Sequence, residues 1–484
     1  MSDMGLSIAA SGIAADTALI DTASNNLSNI STPGYAAESV NLAPEAAFGP
    51  LGVGQGVVVS SVSQLGDMIY AAANVAAQGV QGAATQTNQV MGSIESIFPE
   101  PSSSGLSAQL STLWSDLSAL SSTPNQVGSQ QAVVGAAQSV AQTINSSFTQ
   151  LSQLSTSLQQ QVGSGSGDGG TLAQVNTLLA QVAGLNVSVV AGMAGGQDVN
   201  ALIDTRTAAI NQLATDLGVN TTPGAHGSVT VMLHGVELVA GDVAQTLSST
   251  GSAAAGNFAI TTGNGVNVNP GGQIGANVAA VNSTIPSYEG QLNSIADSLA
   301  TKLNGLQATG MAANGDPGAA IAGSWSGTVL PPFFVDGGSS TYTPSSPGYD
   351  PAATIAVSPA LLATPSLLAT ASAPGPSNSN VIGQATLDGS NAQAMAALAT
   401  ASGGPDQLYQ TMVGALGTQA ANASAAARVA SNLATTAQNT LSSITGVDQN
   451  AQEIDVMNAQ NAFQASSKVI SAITMTFQSL LAAV

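Results

Sequence analysis

The last 38 residues of the chain, 447–484, constrain its fold more than any other stretch. They contain neither glycine nor proline, the two residues that most often interrupt a helix. Apolar or small side chains recur there at steps of three and four: Ala462, Ala465, Val469, Ile473, Phe477, Leu480 and Val484. This spacing places them on one face of an α-helix. We therefore predict an amphipathic helix about 57 Å long, which needs a partner along its length.

The first 30 residues carry a matching pattern with a seven-residue period. Its main positions are Leu6, Ile13, Ile20 and Leu27, and each is followed three residues later by Ala9, Asp16, Ala23 and Ile30. This is the spacing of a heptad seam, with small or polar residues at several positions. Two long amphipathic helices at opposite ends of one chain are expected to pair with each other. The alternative is that each is an ordinary core helix that happens to lie at a terminus.

Large apolar side chains are few in both terminal stretches. Their burial yields less free energy than the ordering of so long a backbone costs, so an isolated pair is marginal. We therefore expect both ends to be disordered in the free subunit and to become helical when neighbouring copies cover them. Strong protection of both ends from amide exchange in the monomer would contradict this expectation.

The composition excludes several classes of function. The chain has 484 residues, 44% of them hydrophobic and only 6% charged, and its formal net charge is −21 with just four basic residues. Nucleic-acid binding is not expected without basic residues. The absence of cysteine excludes disulfides, thiolate metal sites and cysteine nucleophiles.

No stretch of the sequence is expected to insert into a membrane. No apolar run approaches the ~20 residues that a transmembrane helix needs. The N-terminus also lacks the basic region and compact apolar region of a cleaved secretory signal. If the protein is exported, we expect another route to carry it.

A tight turn is predicted where the N-terminal helix ends, in the sequence SNNLSNISTPGY of residues 24–35. Thr32 precedes Pro33 and should leave the helical region, and Gly34 supplies a positive φ. The Asn side chains can bond neighbouring backbone groups at the helix end. The predicted turn motif comprises Asn25, Asn26, Asn29, Thr32, Pro33, Gly34 and Tyr35.

This motif resembles the N-terminal signature of flagellar axial proteins, which form the rod, the hook and the hook-associated structures. The C-terminal run AQNAFQASSKVISAITMTFQSLL resembles the terminal helix of the same proteins. Helical patterns over 105–219 are expected to break at Pro124. These patterns, followed by the alternating SVTVMLHGVELVAG of 228–241, resemble the hook-associated proteins of the first hook–filament junction. Surface positions that are charged in that family are mostly Ser, Gln, Ala or Thr here, so the surface contacts do not carry over directly.

The expected fold is mainly α with β-rich insertions. Residues 1–35 and 446–484 are expected to form a terminal domain of long N- and C-terminal helices paired like a coiled coil. A helical middle domain would comprise 36–215, 279–307 and 386–445. Residues 216–278 are predicted to form a small outer β module with a hairpin turn near His234 and Gly235. Residues 308–385 form a Gly/Pro/Ser-rich, partly irregular insertion, with PPFFV and TIAVS as its best strand candidates.

The resemblance implies a structural component of the flagellum that joins hook to filament by helical self-assembly. It further implies type III export without a cleaved signal, and as partners copies of the chain, the hook protein, the second junction protein and filament, and an export chaperone. The predicted self-assembly interface comprises Leu6, Ile13, Ile20, Leu27, Ile30, Phe463, Val469, Ile473, Phe477 and Leu480.

Three alternatives remain open at this point. A hook or rod protein would share the terminal motifs, although the helical segments at 105–219 argue against it. A secreted adhesin or effector could use its amphipathic ends on membranes, but the polar faces and the lack of basic residues disfavour this. An enzyme on a flagellar scaffold is the third.

Catalysis and cofactor or metal binding are not expected. His226 and His234 have only Glu237 nearby, which does not make a zinc motif. Glu453 and Asp455 are two apart and point to different faces of a helix. Arg206 is a rare charge within a predicted helix, and we expect it to pair with Asp204 or Asp198.

Overall fold

A computed structural model of the chain describes residues 2–32, 34–46, 54–163, 169–324, 328–373 and 387–482. The expected fold class is confirmed, since long helices dominate and the strands form small sheets. The α-helices of the described residues are α1 (Ser2–Asn29), α2 (Met68–Ile97), α3 (Leu106–Ser122), α4 (Val127–Val162), α5 (Gly170–Ala194), α6 (Asn200–Leu217), α7 (Gly272–Ala279), α8 (Ile285–Thr309), α9 (Pro351–Thr354), α10 (Pro359–Ala363), α11 (Ser390–Ala396), α12 (Pro405–Thr445) and α13 (Gln449–Ala482). The strands are β1 (Glu38–Pro44), β2 (Val57–Gln64), β3 (Asn220–Pro223), β4 (Val229–Leu233), β5 (Val236–Ala240), β6 (Val243–Ala244), β7 (Leu247–Thr250), β8 (Ala259–Thr262), β9 (Asn267–Val268), β10 (Gly310–Met311), β11 (Phe334–Asp336), β12 (Ile355–Val357) and β13 (Ala371–Ser372).

The helical body is built from α2 to α8, α11 and the first half of α12, around one continuous apolar core. In α3 the leucines at 106, 110, 113, 117 and 120 recur at steps of three and four, and none is more than 3% exposed. The predicted break at Pro124 is confirmed, because α3 ends at Ser122 and α4 begins at Val127. These helices therefore fold by burying large side chains against one another.

The small β module consists of two antiparallel sheets, β3-β4-β5-β6 and β7-β8-β9, that pack against the helical body. The predicted hairpin is confirmed: β4 and β5 are joined through His234 and Gly235, whose φ angles are +47° and +91°. Two consecutive positive φ values are typical of the type I′ turn that fits the twist of a two-residue hairpin.

The insertion is more regular than expected where it is described. Both strand candidates are confirmed, since β11 and β12 pair antiparallel and Phe333 and Phe334 are fully buried. Residues 325–327 and 374–386 of the predicted insertion lie outside the described residues.

One part of the range 36–215 differs from its expected helical character. Residues 38–64 include an antiparallel hairpin, β1-β2, with a register shift at Asn41 and Leu42. The hairpin packs on α1 rather than on the core of the helical body. The alternation of VVVSSVS favours a half-buried strand, and neighbouring helical patterns obscured this signal.

Side-chain amides fasten several β segments to helices. Asn304 on α8 donates from Nδ2 to the carbonyl of Phe334 at 2.9 Å and accepts the Phe334 N–H at Oδ1 at 2.8 Å. Asn176 on α5 makes the same two bonds with Leu247, and Asn282 makes them with Phe258. We call these two-bond contacts amide clamps. Each satisfies backbone groups that a neighbouring strand would otherwise have to satisfy.

Candidate self-assembly site

The two terminal helices, α1 and α13, pair antiparallel in a seven-residue register. A Cβ atom built on Gly5 would lie 3.2 Å from Ile473 Cδ1, and one on Gly12 would lie 3.2 Å from Ser466 Oγ. Fourteen residues further along α1, Asn26 contacts Gln452. Equal steps in opposite directions on the two helices are expected for a straight antiparallel pair. The predicted pairing of the ends is confirmed.

The interior of this pair contains small side chains. Ala9, Ala15, Ala23 and Ala459 are buried, and Asn26 is fully buried among them. Large apolar side chains lie outside: Met457 is 56% exposed and Leu481 is 69% exposed. The pair therefore leaves many of its large apolar side chains partly uncovered in the single chain.

The predicted interface residues occupy these uncovered and half-covered positions. Leu6, Ile30, Phe463, Val469 and Phe477 are exposed. Ile13, Ile20, Leu27 and Ile473 are half-buried. The side chain of Leu480 lies outside the described residues. Their role in assembly stays a prediction, as does the disorder expected of both helices in the free subunit.

Asn26 joins four segments of the terminal domain. Its Oδ1 accepts from the hydroxyl of Tyr35 at 2.8 Å and from the backbone N–H of Glu38 at 2.9 Å. Its Nδ2 donates to the Glu38 carbonyl and to Gln452 Oε1, both at 2.9 Å. All four hydrogen-bonding positions of the amide are thereby used. Asn26 holds the end of α1, the turn, β1 and α13 in one arrangement.

The rest of the turn motif supports this arrangement. Asn29 donates to the carbonyl and to Oδ1 of Asn25, and Thr32 donates to Asn29 Oδ1 at 3.2 Å. Gly34 has φ +84°, as predicted for the turn. Pro33 lies outside the described residues. Burial, with a smaller effect from nearby carboxylates including Glu38, raises the pKa of Tyr35 to about 12, so the hydroxyl keeps the proton that it donates to Asn26.

The β1-β2 hairpin links the terminal pair to the helical body. Ser11 Oγ of α1 accepts the N–H of Val57, and a Cβ on Gly56 would collide with Ser11. At the other end, Gln64 Nε2 donates to Asp204 Oδ1 of α6 at 2.9 Å. Burial raises the pKa of Asp204, while the bond from Gln64 opposes that shift.

Arg206 does not pair with the predicted acids, which is a correction. Its Nη1 donates to Asn186 Oδ1 at 2.9 Å and to the Gly227 carbonyl at 2.8 Å, so the guanidinium points into the body and away from Asp204. Burial lowers its pKa. Position 206 lies on the inner face of α6, and a count of nearby acids in sequence does not reveal which face a side chain occupies.

A cleft of about 560 Å³ lies between α1, α13 and the hairpin. We call it the interhelix cleft. Its walls include Leu19, Val40 and Leu65, and its carboxylates are Asp16, Glu38 and Asp455. Sequence reasoning did not find it, because its residues come from three distant segments. Burial raises the pKa of Asp16, which has no basic neighbour among the residues lining the cleft.

The residues considered for catalysis or metal binding do not come together in one site. His226 is exposed, while His234 Nδ1 lies 2.9 Å from the Asn269 carbonyl oxygen. Glu453 accepts a bond from Gln449, and Asp455 lines the interhelix cleft. Within the described residues, no group of three or more His, Asp or Glu side chains is arranged to hold a metal ion.

Two described helices are long and apolar enough to span a membrane by composition, which differs from the sequence-based expectation. They comprise Met4–Asn29 and Gly170–Ala194. In α5, Leu172, Val175 and Leu179 are fully buried in the helical body, which accounts for its apolar character. In α1 the apolar residues face α13, the hairpin and solvent.

Residues 91–321 match the family model of the flagellar hook-associated protein FlgK helical domain. Over this stretch the chain is similar to the flagellar hook-associated proteins. The matched FlgK-type segment runs from the end of α2 through the β module and α8 into the insertion.

Individual relatives agree with this family. Flagellar hook-associated protein 1 of Salmonella typhimurium is 28% identical over 251 residues, which cover 51% of this chain and 44% of that protein. Flagellar hook-associated protein 1 of Bacillus subtilis is 24% identical over 246 residues, 47% of each chain. The match thus spans about half the length of these curated relatives.

A solved structure shares the fold. The flagellar hook junction protein FlgK from Burkholderia pseudomallei superposes with a TM-score of 0.60 at 15% sequence identity, and the match covers 78% of this chain and all of that one.

Proposed function

We propose that this chain is a structural, non-catalytic subunit of the bacterial flagellum that joins hook to filament. In this role α1 and α13 of each copy pack against the same helices of neighbouring copies. The helical body and the β module would lie outside that packed layer. The hook protein on one side and the second junction protein and filament on the other are the proposed partners.

The observation that carries this proposal is the inverted packing of the terminal pair. Large apolar side chains such as Ile454, Met457 and Met475 are more than half exposed, whereas alanines fill the interior. An exposed apolar surface of this extent is costly in water unless something covers it. The FlgK-type helical domain between the two ends favours a flagellar assembly as the cover.

Export is part of the proposal. We infer that the chain leaves the cell by the flagellar type III route, with an export chaperone covering its apolar ends beforehand. The apolar terminal helices supply a surface on which such a chaperone could act.

Deletion of the gene tests the proposal directly. We expect hooks without filaments and flagellin released into the medium, both visible by electron microscopy and immunoblotting. The full chain should restore filaments, and a chain lacking 447–482 should not, although its helical body should still give the circular dichroism of a folded domain. Normal filaments in the deletion strain would overturn the proposal.

A membrane role for the exposed ends is the rival function, and vesicle flotation tests it. Purified full-length chain is mixed with neutral phosphatidylcholine vesicles and separated by flotation. A flagellar subunit should stay with the unbound fraction, because α1 and α13 carry no basic face. Strong flotation together with normal filaments would favour the rival.

A further inference from the structure

The outward face of α13 carries a second seven-residue seam. Ile454, Asn461, Lys468 and Met475 follow at steps of seven, and we call them the outer seam. Ile454 is 51% and Met475 65% exposed, and Lys468 is exposed as well. The contacts with α1 use Gln452, Ser466 and Ile473 instead. Each of these α1-facing residues precedes an outer-seam residue by two positions, which corresponds to a rotation of about 200° around the helix. The outer seam therefore lies on the side of α13 that α1 does not cover.

Lys468 is the only lysine or arginine in residues 1–64 and 447–484. The same segments carry eight acids: Asp3, Asp16, Asp21, Glu38, Glu45, Asp448, Glu453 and Asp455. Copies that stack through these segments would repel one another unless the few opposite charges are placed to meet. Lys468, which lies in the middle of the exposed outer seam, is therefore the residue of these segments that can meet an acid of another copy.

The interhelix cleft has the complementary character. It combines apolar walls with three carboxylates, and no lysine or arginine lines it. The Lys468 of the same chain does not line it: Lys468 lies six residues, about 9 Å, beyond Ala462, the last lining residue of α13, and about 20 Å from Asp455. Lys468 also points to another side of the helix. Since no lysine or arginine of its own chain lines the cleft, we take a lysine that enters it to come from another molecule.

We propose that the outer seam of one copy docks into the interhelix cleft of a second copy, with the Lys468 ammonium among the carboxylates of Asp16, Glu38 and Asp455. Ile454 and Met475 then cover apolar surface along the rim. The inference rests on the proposed self-assembly and specifies its contact. Because the seam and the cleft are different surfaces of one subunit, the contact is head-to-tail, and it continues from copy to copy until a ring closes or a helix forms.

Charge exchange tests the contact in the full-length chain, expressed in the deletion strain. Lys468→Glu should lower the fraction of cells with attached filaments by about ten-fold, since it places like charges together. Asp455→Lys should do the same, and the double variant should recover because each contact regains one charge of each sign. Arg428→Glu on α12 makes the same change in net charge outside the contact and should resemble wild type. Wild-type filament numbers with Lys468→Glu would overturn the inference.

Cysteine cross-linking gives a second measurement, which the absence of native cysteine keeps free of background. In flagella isolated from cells with the double variant Lys468→Cys/Asp455→Cys, oxidation should yield dimers and a ladder of higher species. A disulfide needs Cα atoms within about 7 Å, so the distance along α13 excludes a bond within one chain. Lys468→Cys/Val243→Cys, whose second site lies in the β module, should stay monomeric.

The outcomes separate the two proposals. Absence of the wild-type chain from isolated flagella would overturn the proposed function, and the contact with it. Presence of the chain in flagella without cross-linking of the first cysteine pair would overturn the contact alone.

Discussion

The helical body and the terminal pair use opposite packing rules. In the body, leucines such as Leu110 and Leu113 are fully buried between helices. In the terminal pair, alanines are buried, and Met457 and Leu481 face outward. The body thus covers its large apolar side chains itself, whereas the terminal pair exposes apolar side chains that its own chain does not cover. Helical periodicity therefore identifies an apolar face of a helix but does not indicate which molecule covers that face.

The largest expected change in the free energy of unfolding comes from a substitution in the core of the helical body. Leu113→Ala removes a fully buried side chain from the α3–α4 contact, so the free energy of unfolding should fall by about 2–5 kcal/mol. Chemical denaturation followed by circular dichroism measures this. Filament attachment at low growth temperature should remain normal, because the variant leaves the terminal surface intact. A stable Leu113→Ala protein that fails to assemble would contradict the division between the two regions.

Removal of the Asn26 side chain should loosen the terminal pair only. Asn26→Ala leaves the N–H and C=O of Glu38 and the Tyr35 hydroxyl without their partner, at a cost of about 1–3 kcal/mol. In subunits assembled into flagella, amide exchange should accelerate in α1 and α13 and stay unchanged in α3 and α4. Asn25→Ala is the control, since Asn25 Nδ2 lies 3.4 Å from Glu38 Oε2 at an exposed position. Equal acceleration in both variants would argue against the central role of Asn26.

The body also contains an ionisable group that should make its stability depend on pH. Burial on α8, with the charge of Asp350 as a smaller cause, raises the pKa of Glu289 from 4.5 to about 7. The stability that this group contributes is complete below pH 4.5, is lost as the pH rises to about 7, and is constant above that. Glu289→Gln should therefore equal wild type at pH 4 and exceed it by about 1–2 kcal/mol at pH 8.

Denaturation of both proteins across this pH range provides the check. Glu453→Gln on the exposed surface of α13 is the matched control and should leave the pH profile unchanged. A wild-type profile retained by Glu289→Gln would show that another group causes the pH dependence.

The smallest effect on stability should accompany a specific effect on assembly. Met457→Ser replaces a side chain that is 56% exposed, so the free energy of unfolding should change by no more than about 0.5 kcal/mol. Filament attachment should nevertheless decline, because the apolar contact with another copy is lost. Val243→Ser, at a 57% exposed site of the β module, should change neither quantity. Loss of subunit stability with Met457→Ser would mean that this residue packs within its own chain.

Sequence reasoning was most successful where a pattern is local. The two terminal helices, the break at Pro124 and the turn at His234 and Gly235 each follow from spacing or from residues with special φ preferences. The β1-β2 hairpin was missed because its alternation is short and lies between strong helical patterns. A short alternation of apolar and polar residues also does not show that α1 will cover the hairpin.

The sequence places the turn motif at the end of α1 but does not reveal the long-range contacts of its residues. The motif residues were identified near the helix end, yet the partner of Asn26 on α13, Gln452, lies 426 positions away, and no local rule indicates it. Arg206 was assigned to nearby acids, whereas its partners come from α5 and from the loop before β4. Long-range polar contacts of this kind depend on the assembled fold.

The amide clamps have a consequence for the conditions that the protein can tolerate. An asparagine side chain has no titratable proton, and a neutral contact is not screened by dissolved ions. The attachment of Phe334 to Asn304, or of Leu247 to Asn176, is therefore expected to persist in acidic or alkaline medium and in dilute or saline water alike. Outer segments that are fastened by amide clamps therefore keep their place when their surroundings change.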